Sequence, residues 1–205
     1  MARGHADFVR RALLESAELH RRAAATMAEP AARAAAEIAK RLSSGGTLFF
    51  FGNGGSASQA HHLAAEFTGR FKLERRGLAA VALGGNVAEI TAIGNDYEYG
   101  EVFERPLAAL ARKGDVAIGL TGSGGSVNVV RALRAARAKG ALAIAFTSVA
   151  KDARGGPAGE AADLALIAPC KTSAEAQELH LAVGHVLCEL VENTLAASRP
   201  AKRRK

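Results

Sequence analysis

His62 and Glu66 lie four residues apart, and Gln177, Leu181 and His185 recur at that same spacing near the other end of the chain. Side chains four apart share one face of a helix. A carboxylate and an imidazole brought together make a base and an acid for shuttling protons. Histidine, glutamate and glutamine are also donors to a divalent cation such as zinc. The spacing alone is not specific, because an exposed helical face often carries a His/Glu pair as well. His61 points about 100° away from its neighbour His62, so only one of the two can face a given site, and spacing does not choose between them. His180 lies well around the helix from His185 and reads as a packing or hydrogen-bonding residue. His5 and His20 carry no signal.

A second chemistry lies in two Gly/Ser-rich segments, Asn53-Gly54-Gly55-Ser56 and Thr121-Gly122-Ser123-Gly124-Gly125-Ser126. Glycine lets the backbone approach an anion closely and frees its N–H groups, hydroxyls add donors, and a following helix N-terminus adds partial positive charge. Neither segment has the lysine of a nucleoside-triphosphate loop or the GxGxxG dinucleotide pattern. Two hydroxyl-rich loops of this kind favour a phosphate monoester over a nucleotide.

Each loop sits where a short apolar run passes into a helical pattern. Strand-like runs fall at 47–51, 79–83, 116–120, 141–147 and 164–167, and helices follow the loops to about 69 and 139. A long final helix spans about 173–197. Unalternating apolar strands, each followed by a helix, predict a doubly wound α/β domain over 46–197 with about five parallel strands covered on both faces. Ligands of such sheets bind at the carboxyl ends of the strands, which sets both loops toward one crevice. Ahead of it, two Ala-rich helices interrupted at Glu29-Pro30 predict a helical hairpin over 1–45. Those Ala-rich faces, with Leu187, Leu190 and Val191, are expected to meet another subunit.

The 205 residues suffice for one such domain; 49% are apolar and 23% charged, so the chain is expected to fold. Aromatic residues are only 5% and Trp is absent, which argues against a reader that stacks nucleic-acid bases. The net charge of +7 owes part to Arg199, Lys202, Arg203, Arg204 and Lys205, read as a basic disordered tail over 198–205. The two cysteines, Cys170 and Cys188, show no framework spacing and are expected to be reduced and structural. No apolar run approaches the roughly 20 residues that span a bilayer, and no signal core opens the chain, so the expectation is a cytoplasmic protein.

Four segments in order, GNGGSASQAHHLAAEFTGRF, TAIGNDYEYGEVF, LTGSGGSVNVVRAL and AQELHLAVGHVLCELVENTL, resemble the bacterial phosphoheptose isomerases. These SIS (sugar isomerase) domain enzymes convert sedoheptulose 7-phosphate to D-glycero-D-manno-heptose 7-phosphate, the first step toward activated heptose. The resemblance runs from about residue 5 to 197. It implies a five-stranded SIS fold, a homotetramer with active sites between subunits, and one zinc ion per subunit. It places Asn53, Gly54, Gly55 and Ser56 on the substrate loop, Asn95 and Asp96 on a second substrate element, and Thr121, Gly122, Ser123 and Ser126 on the phosphate loop. His62, rather than His61, falls on a metal ligand, and Glu66 on the base that also binds metal and substrate. Gln177 and His185 match the remaining polar positions, both as metal ligands and Gln177 as a substrate-binding residue as well.

By the same resemblance, Glu66 carries a proton between C1 and C2 through a cis-enediol, while His185 moves the hydroxyl proton or stabilises the oxyanion. Two positions depart from the family pattern. Its phosphate loop reads Ser-Thr-Ser-Gly-Asn-Ser, so Gly122 lacks a hydroxyl, which implies weaker phosphate binding or a wider pocket. Glu175 stands where the family has a basic residue. Gln177 and His185 are also about 12 Å apart along a straight helix, too far to share one ion, so either two chains contribute or the helix is broken. The competing reading is a non-catalytic SIS-domain protein that binds the bacterial replication initiator. That branch typically lacks a carboxylate at position 66 and a histidine at 185, and both are present here.

Overall fold

The computed structural model describes residues 2–198. The five apolar runs form β1 (Leu48–Gly52), β2 (Ala80–Ala82), β3 (Val116–Leu120), β4 (Leu142–Ser148) and β5 (Leu164–Ala168), joined in one parallel sheet of order β2-β1-β3-β4-β5. Alternate residues feed two cores. Leu48, Phe50, Ile118, Leu120, Ile144 and Phe146 face α1 (Ala2–Ser43), α2 (Gly55–Thr68) and α7 (Ser173–Ala197). Phe49, Phe51, Ala117, Ala143 and Ala145 face α4 (Glu104–Leu110), α5 (Val127–Ala138) and α6 (Gly156–Ala161). A further α-helix, α3 (Val87–Asp96), follows the edge strand β2, with a short 3-10 turn at Tyr99–Glu101 after it.

The sequence order reverses at β1. From there one connection steps out to β2, while β3, β4 and β5 extend the other way. The loops after β1 and β3 therefore leave adjacent strands at the same carboxyl edge and diverge, opening the crevice where doubly wound sheets bind ligands.

One expectation fails in the first element. No hairpin breaks at Glu29-Pro30; α1 is a single helix with Pro30 inside it. The buried residues Leu19, Ala23, Met27, Ala31, Ala34, Ala35, Ile38 and Leu42 keep one stripe in phase across the proline. That continuous burial outweighs the roughly 3 kcal/mol an interior proline costs. The carbonyl that Pro30 cannot bond belongs to Thr26, an exposed residue that water reaches.

Burial corrects the proposed contact surface as well. Leu187 and Val191 belong to the chain's own core, whereas Leu190 is exposed. Cys170 and Cys188 are free and buried, and burial pushes their thiols up to about 11 and about 12. Apart from Ser198, the tail read at 198–205 lies outside the described residues.

Candidate active site

The two loops meet α7 around a cavity of about 180 Å³ lined by Asn53, Ser56, Leu120, Thr121, Gly122, Ser123, Ser126, Ser173 and Gln177. Thr121 Oγ1 lies 3.0 Å from Ser126 Oγ and 3.3 Å from Ser123 Oγ, so three hydroxyls converge on one point. The loop is held from behind, where buried Ser148 donates its hydroxyl to the Gly122 carbonyl at 2.7 Å. The side-chain amides of Asn53 and Asn128 exchange two hydrogen bonds of 2.9 Å, which ties the first loop to the start of α5, and the Tyr99 hydroxyl donates to Asn53 Oδ1 at 3.0 Å.

Two glycines make this shape possible. Gly54 adopts a φ of 56°, left-handed backbone that other residues adopt at a cost. A Cβ on Gly55 would come within 2.5 Å of the Gln177 amide, so the missing side chain is what admits Gln177 to the loop.

Farther along α7 a second group of side chains assembles. His62 Nε2 is 2.7 Å from His185 Nε2 and 3.5 Å from Glu66 Oε1, and all three donor atoms lie within 4.8 Å of one another. Two imidazole nitrogens and a carboxylate oxygen are a donor set that suits zinc. His185 stacks on Phe71 with ring centroids 5.4 Å apart. Burial first, and then the neighbouring His62, push the His185 imidazole below its ordinary pKa, while Glu66 pulls it upward. Gly184 explains the close approach: a Cβ there would meet Leu63 Cδ2 at 2.7 Å, so this glycine lets α7 settle against α2 and brings His185 beside His62. A mid-helix glycine costs roughly 1 kcal/mol relative to alanine, an expense that close packing explains.

The predicted residues thus divide into two groups. Asn53, Ser56, Thr121, Gly122, Ser123, Ser126 and Gln177 line the cavity, with Gly54 and Gly55 beside it. His62, Glu66 and His185 form the ionisable cluster. Because α7 is unbroken, Gln177 stays with the cavity and away from His185 in the same chain. Glu66 and His185 meet within one chain, so an inter-chain origin for His185 is not needed. Asn95 and Asp96 sit exposed at the end of α3, where the Asn95 amide donates to Asp96 at 2.9 Å, and they join neither group. His180 is fully buried and bonds the Thr147 carbonyl at 2.9 Å, the packing role read for it. Asn128, Tyr99, Ser148 and Gly184 were not found by motif reasoning; a buried asparagine just after a Gly/Ser loop and a lone glycine inside a helical pattern were the available signals.

Residues 13–148 match the SIS domain model. The chain is 44% identical over 167 residues to the phosphoheptose isomerase of Thermodesulfovibrio yellowstonii, covering 82% of this chain and 81% of that protein. It is 48% identical over 155 residues to the phosphoheptose isomerase of Aquifex aeolicus, covering 76% and 79%. The solved phosphoheptose isomerase of Neisseria gonorrhoeae superposes with a TM-score of 0.84 at 35% identity, over 91% of this chain and 98% of that one. With the hydroxyl-lined cavity and the His/Glu cluster between α2 and α7, these likenesses show that the chain belongs to the phosphoheptose isomerase family of SIS-domain proteins.

Proposed function

We propose that this chain interconverts sedoheptulose 7-phosphate and D-glycero-D-manno-heptose 7-phosphate, the entry step to activated heptose. The observation that carries this reading is the division of labour along α7. Its first turns border a cavity rich in hydroxyls, and two turns later it presents an imidazole to a glutamate. The substrate is divided in the same way, with the phosphate on C7 and the reacting carbons at the other end. The loop hydroxyls hold the phosphate and fix the register of the sugar. Glu66 takes the proton from C1, the electron pair forms the C1–C2 double bond of a cis-enediol, and the same carboxyl returns the proton to C2. His185 moves the hydroxyl proton between the two oxygens.

His62, Glu66 and His185, with Gln177 from a neighbouring chain, are the residues that would hold zinc, one ion per subunit. Bound there, zinc would supply Lewis-acid polarisation of the substrate oxygens. Assembly as a homotetramer with sites between subunits belongs to the same reading. Phe8, Val9, Leu13 and Leu14 on α1 and Val186 and Leu190 on α7 leave apolar side chains exposed in the single chain, and Asn95 and Asp96 are free to serve a neighbour's site. We place the reaction in the cytoplasm, where sugar phosphates are made and kept. Among the described residues no helix is long and apolar enough to cross a membrane.

The test is incubation with sedoheptulose 7-phosphate followed by NMR. An aldoheptose 7-phosphate signal that grows with time is expected. A protein that binds the sugar phosphate but yields no product would overturn the catalytic reading in favour of the non-catalytic one.

A further inference from the structure

We infer that Ser173 is a phosphate-binding residue of this chain, its hydroxyl standing in for the one that Gly122 lacks. This rests on the reading of the cavity as the phosphate site. A Cβ built on Gly122 would come 3.0 Å from Ser173 Cα, 3.2 Å from Ser173 Cβ and 3.3 Å from Ala176 Cβ. The first turn of α7 therefore occupies the volume that a side chain at position 122 would fill. The cavity is not widened by the glycine; a neighbouring element has moved into the space. Ser148 pins the Gly122 carbonyl at 2.7 Å, so the loop cannot simply retreat to admit a larger residue.

Ser173 lines the same cavity as Thr121, Ser123 and Ser126. Its hydroxyl is also uncommitted. The cap of α7 is made by Thr172, whose hydroxyl donates to the Glu175 carboxylate at 2.7 Å and accepts the Glu175 N–H at 3.3 Å. Among the described residues no hydrogen bond engages Ser173 Oγ, whereas the three loop hydroxyls are already linked to one another. The hydroxyl missing from the loop is thus replaced from the facing helix, and Gly122 is the condition for it.

Three single variants and two ligands test this. Ser123→Ala probes whether the cavity is the phosphate site at all, Ser173→Ala probes the new ligand, and Ser173→Thr keeps a hydroxyl in place. For each, the dissociation constant of inorganic phosphate is measured by calorimetry, and KM and kcat for sedoheptulose 7-phosphate are measured by NMR. Losing one hydrogen bond to a charged group predicts about 10- to 150-fold weaker phosphate binding and a matching rise in KM for both alanine variants, with kcat little changed. Ser173→Thr should retain most of the affinity. Ser173 is exposed, and its cap is carried by Thr172, so folding should be unaffected by its truncation. If Ser123→Ala weakens phosphate and Ser173→Ala does not, the inference fails while the phosphate site stands. If neither weakens it, the cavity is not the phosphate site and both readings fall.

Discussion

Two glutamates, Glu66 on α2 and Glu192 on α7, show how differently a carboxylate can be used. Glu192 on α7 is buried, with its side chain 1% exposed, and it accepts the N–H groups of Lys72 at 2.8 Å and of Phe71 and Leu73 at 3.3 Å, with Arg75 Nε at 2.9 Å. Burial pushes its pKa up, but those four donors prevail and hold it below the usual carboxylate value. The Arg75 guanidinium then reaches the carbonyls of Glu66 at 2.7 Å, Phe67 at 2.8 Å and Gly69 at 3.0 Å, closing the end of α2. Glu66, by contrast, keeps a side chain 23% exposed; among the described residues its carboxylate accepts no hydrogen bond, and its imidazole neighbours are His62, at 3.5 Å, and His185, within 4.8 Å. A carboxylate with every lone pair engaged holds a loop in place. One with spare acceptor capacity is able to take a proton, and here the first kind positions the second.

Breaking the structural member should give the largest effect. Glu192→Ala leaves the Arg75 guanidinium and three N–H groups buried without their acceptor. A loss of about 3–5 kcal/mol in urea-unfolding stability is expected, the usual consequence of removing one partner from a buried ion pair. Glu66→Gln should do the reverse, leaving the unfolding midpoint in place while turnover falls about 10²- to 10⁴-fold, because an amide cannot accept the C–H proton. Near-native turnover in Glu66→Gln, or an unchanged midpoint in Glu192→Ala, would reverse the two assignments.

That contrast also marks where the sequence stopped being readable. The strands, the parallel sheet and both Gly/Ser loops follow from local patterns, since apolar runs and loop composition are confined to a few residues. His62 with Glu66 was visible because both lie on one helix turn. The Arg75–Glu192 pair joins residues 117 positions apart, and no local pattern announces it. The Asn53–Asn128 pair and the Leu63–Gly184 contact are of the same kind, fixed only once α5 and α7 have docked. Pro30 misled for the opposite reason: the local signal for a break was correct chemistry, and long-range burial overrode it.

A smaller effect separates the histidines. His180 is fully buried, its Nε2 bonds the Thr147 carbonyl, and its Nδ1 finds no partner among the described residues. Burial lowers its pKa to about 4, from an ordinary 6.5. The unfolded chain therefore binds one more proton than the folded one between those values. Stability from this residue is complete above pH 6.5 and drains away as the pH falls toward 4, by at most about 3 kcal/mol. Urea unfolding from pH 7 to 4.5 checks the slope, and NMR of the His180 C2 proton should show no titration above about pH 5. A His180 resonance that titrates near its ordinary value would mean that this end of α7 is open to water, like the His185 end.

The smallest effect falls within a single turn of α7, where Ser173 is assigned to the ligand and Glu175 to the helix. Glu175 closes a capping box: its carboxylate accepts the Thr172 hydroxyl at 2.7 Å and the Thr172 N–H at 3.2 Å. Those two hydrogen bonds hold its pKa below the ordinary carboxylate value. The stabilisation is therefore present above that ordinary value and is lost as the pH falls through the depressed one. Glu175→Ala should cost about 1 kcal/mol of unfolding stability, and Glu175→Gln less, because glutamine also completes the box. Neither change should alter KM for sedoheptulose 7-phosphate, since the carboxylate faces the helix end and not the cavity lining. Glu175→Lys is the sharper version, restoring the basic residue usual in the family while removing the cap. If it tightens binding of inorganic phosphate, the charge at 175 is felt in the cavity and the boundary between holding the helix and holding the ligand has to be redrawn; if it only destabilises, that boundary lies between Ser173 and Glu175.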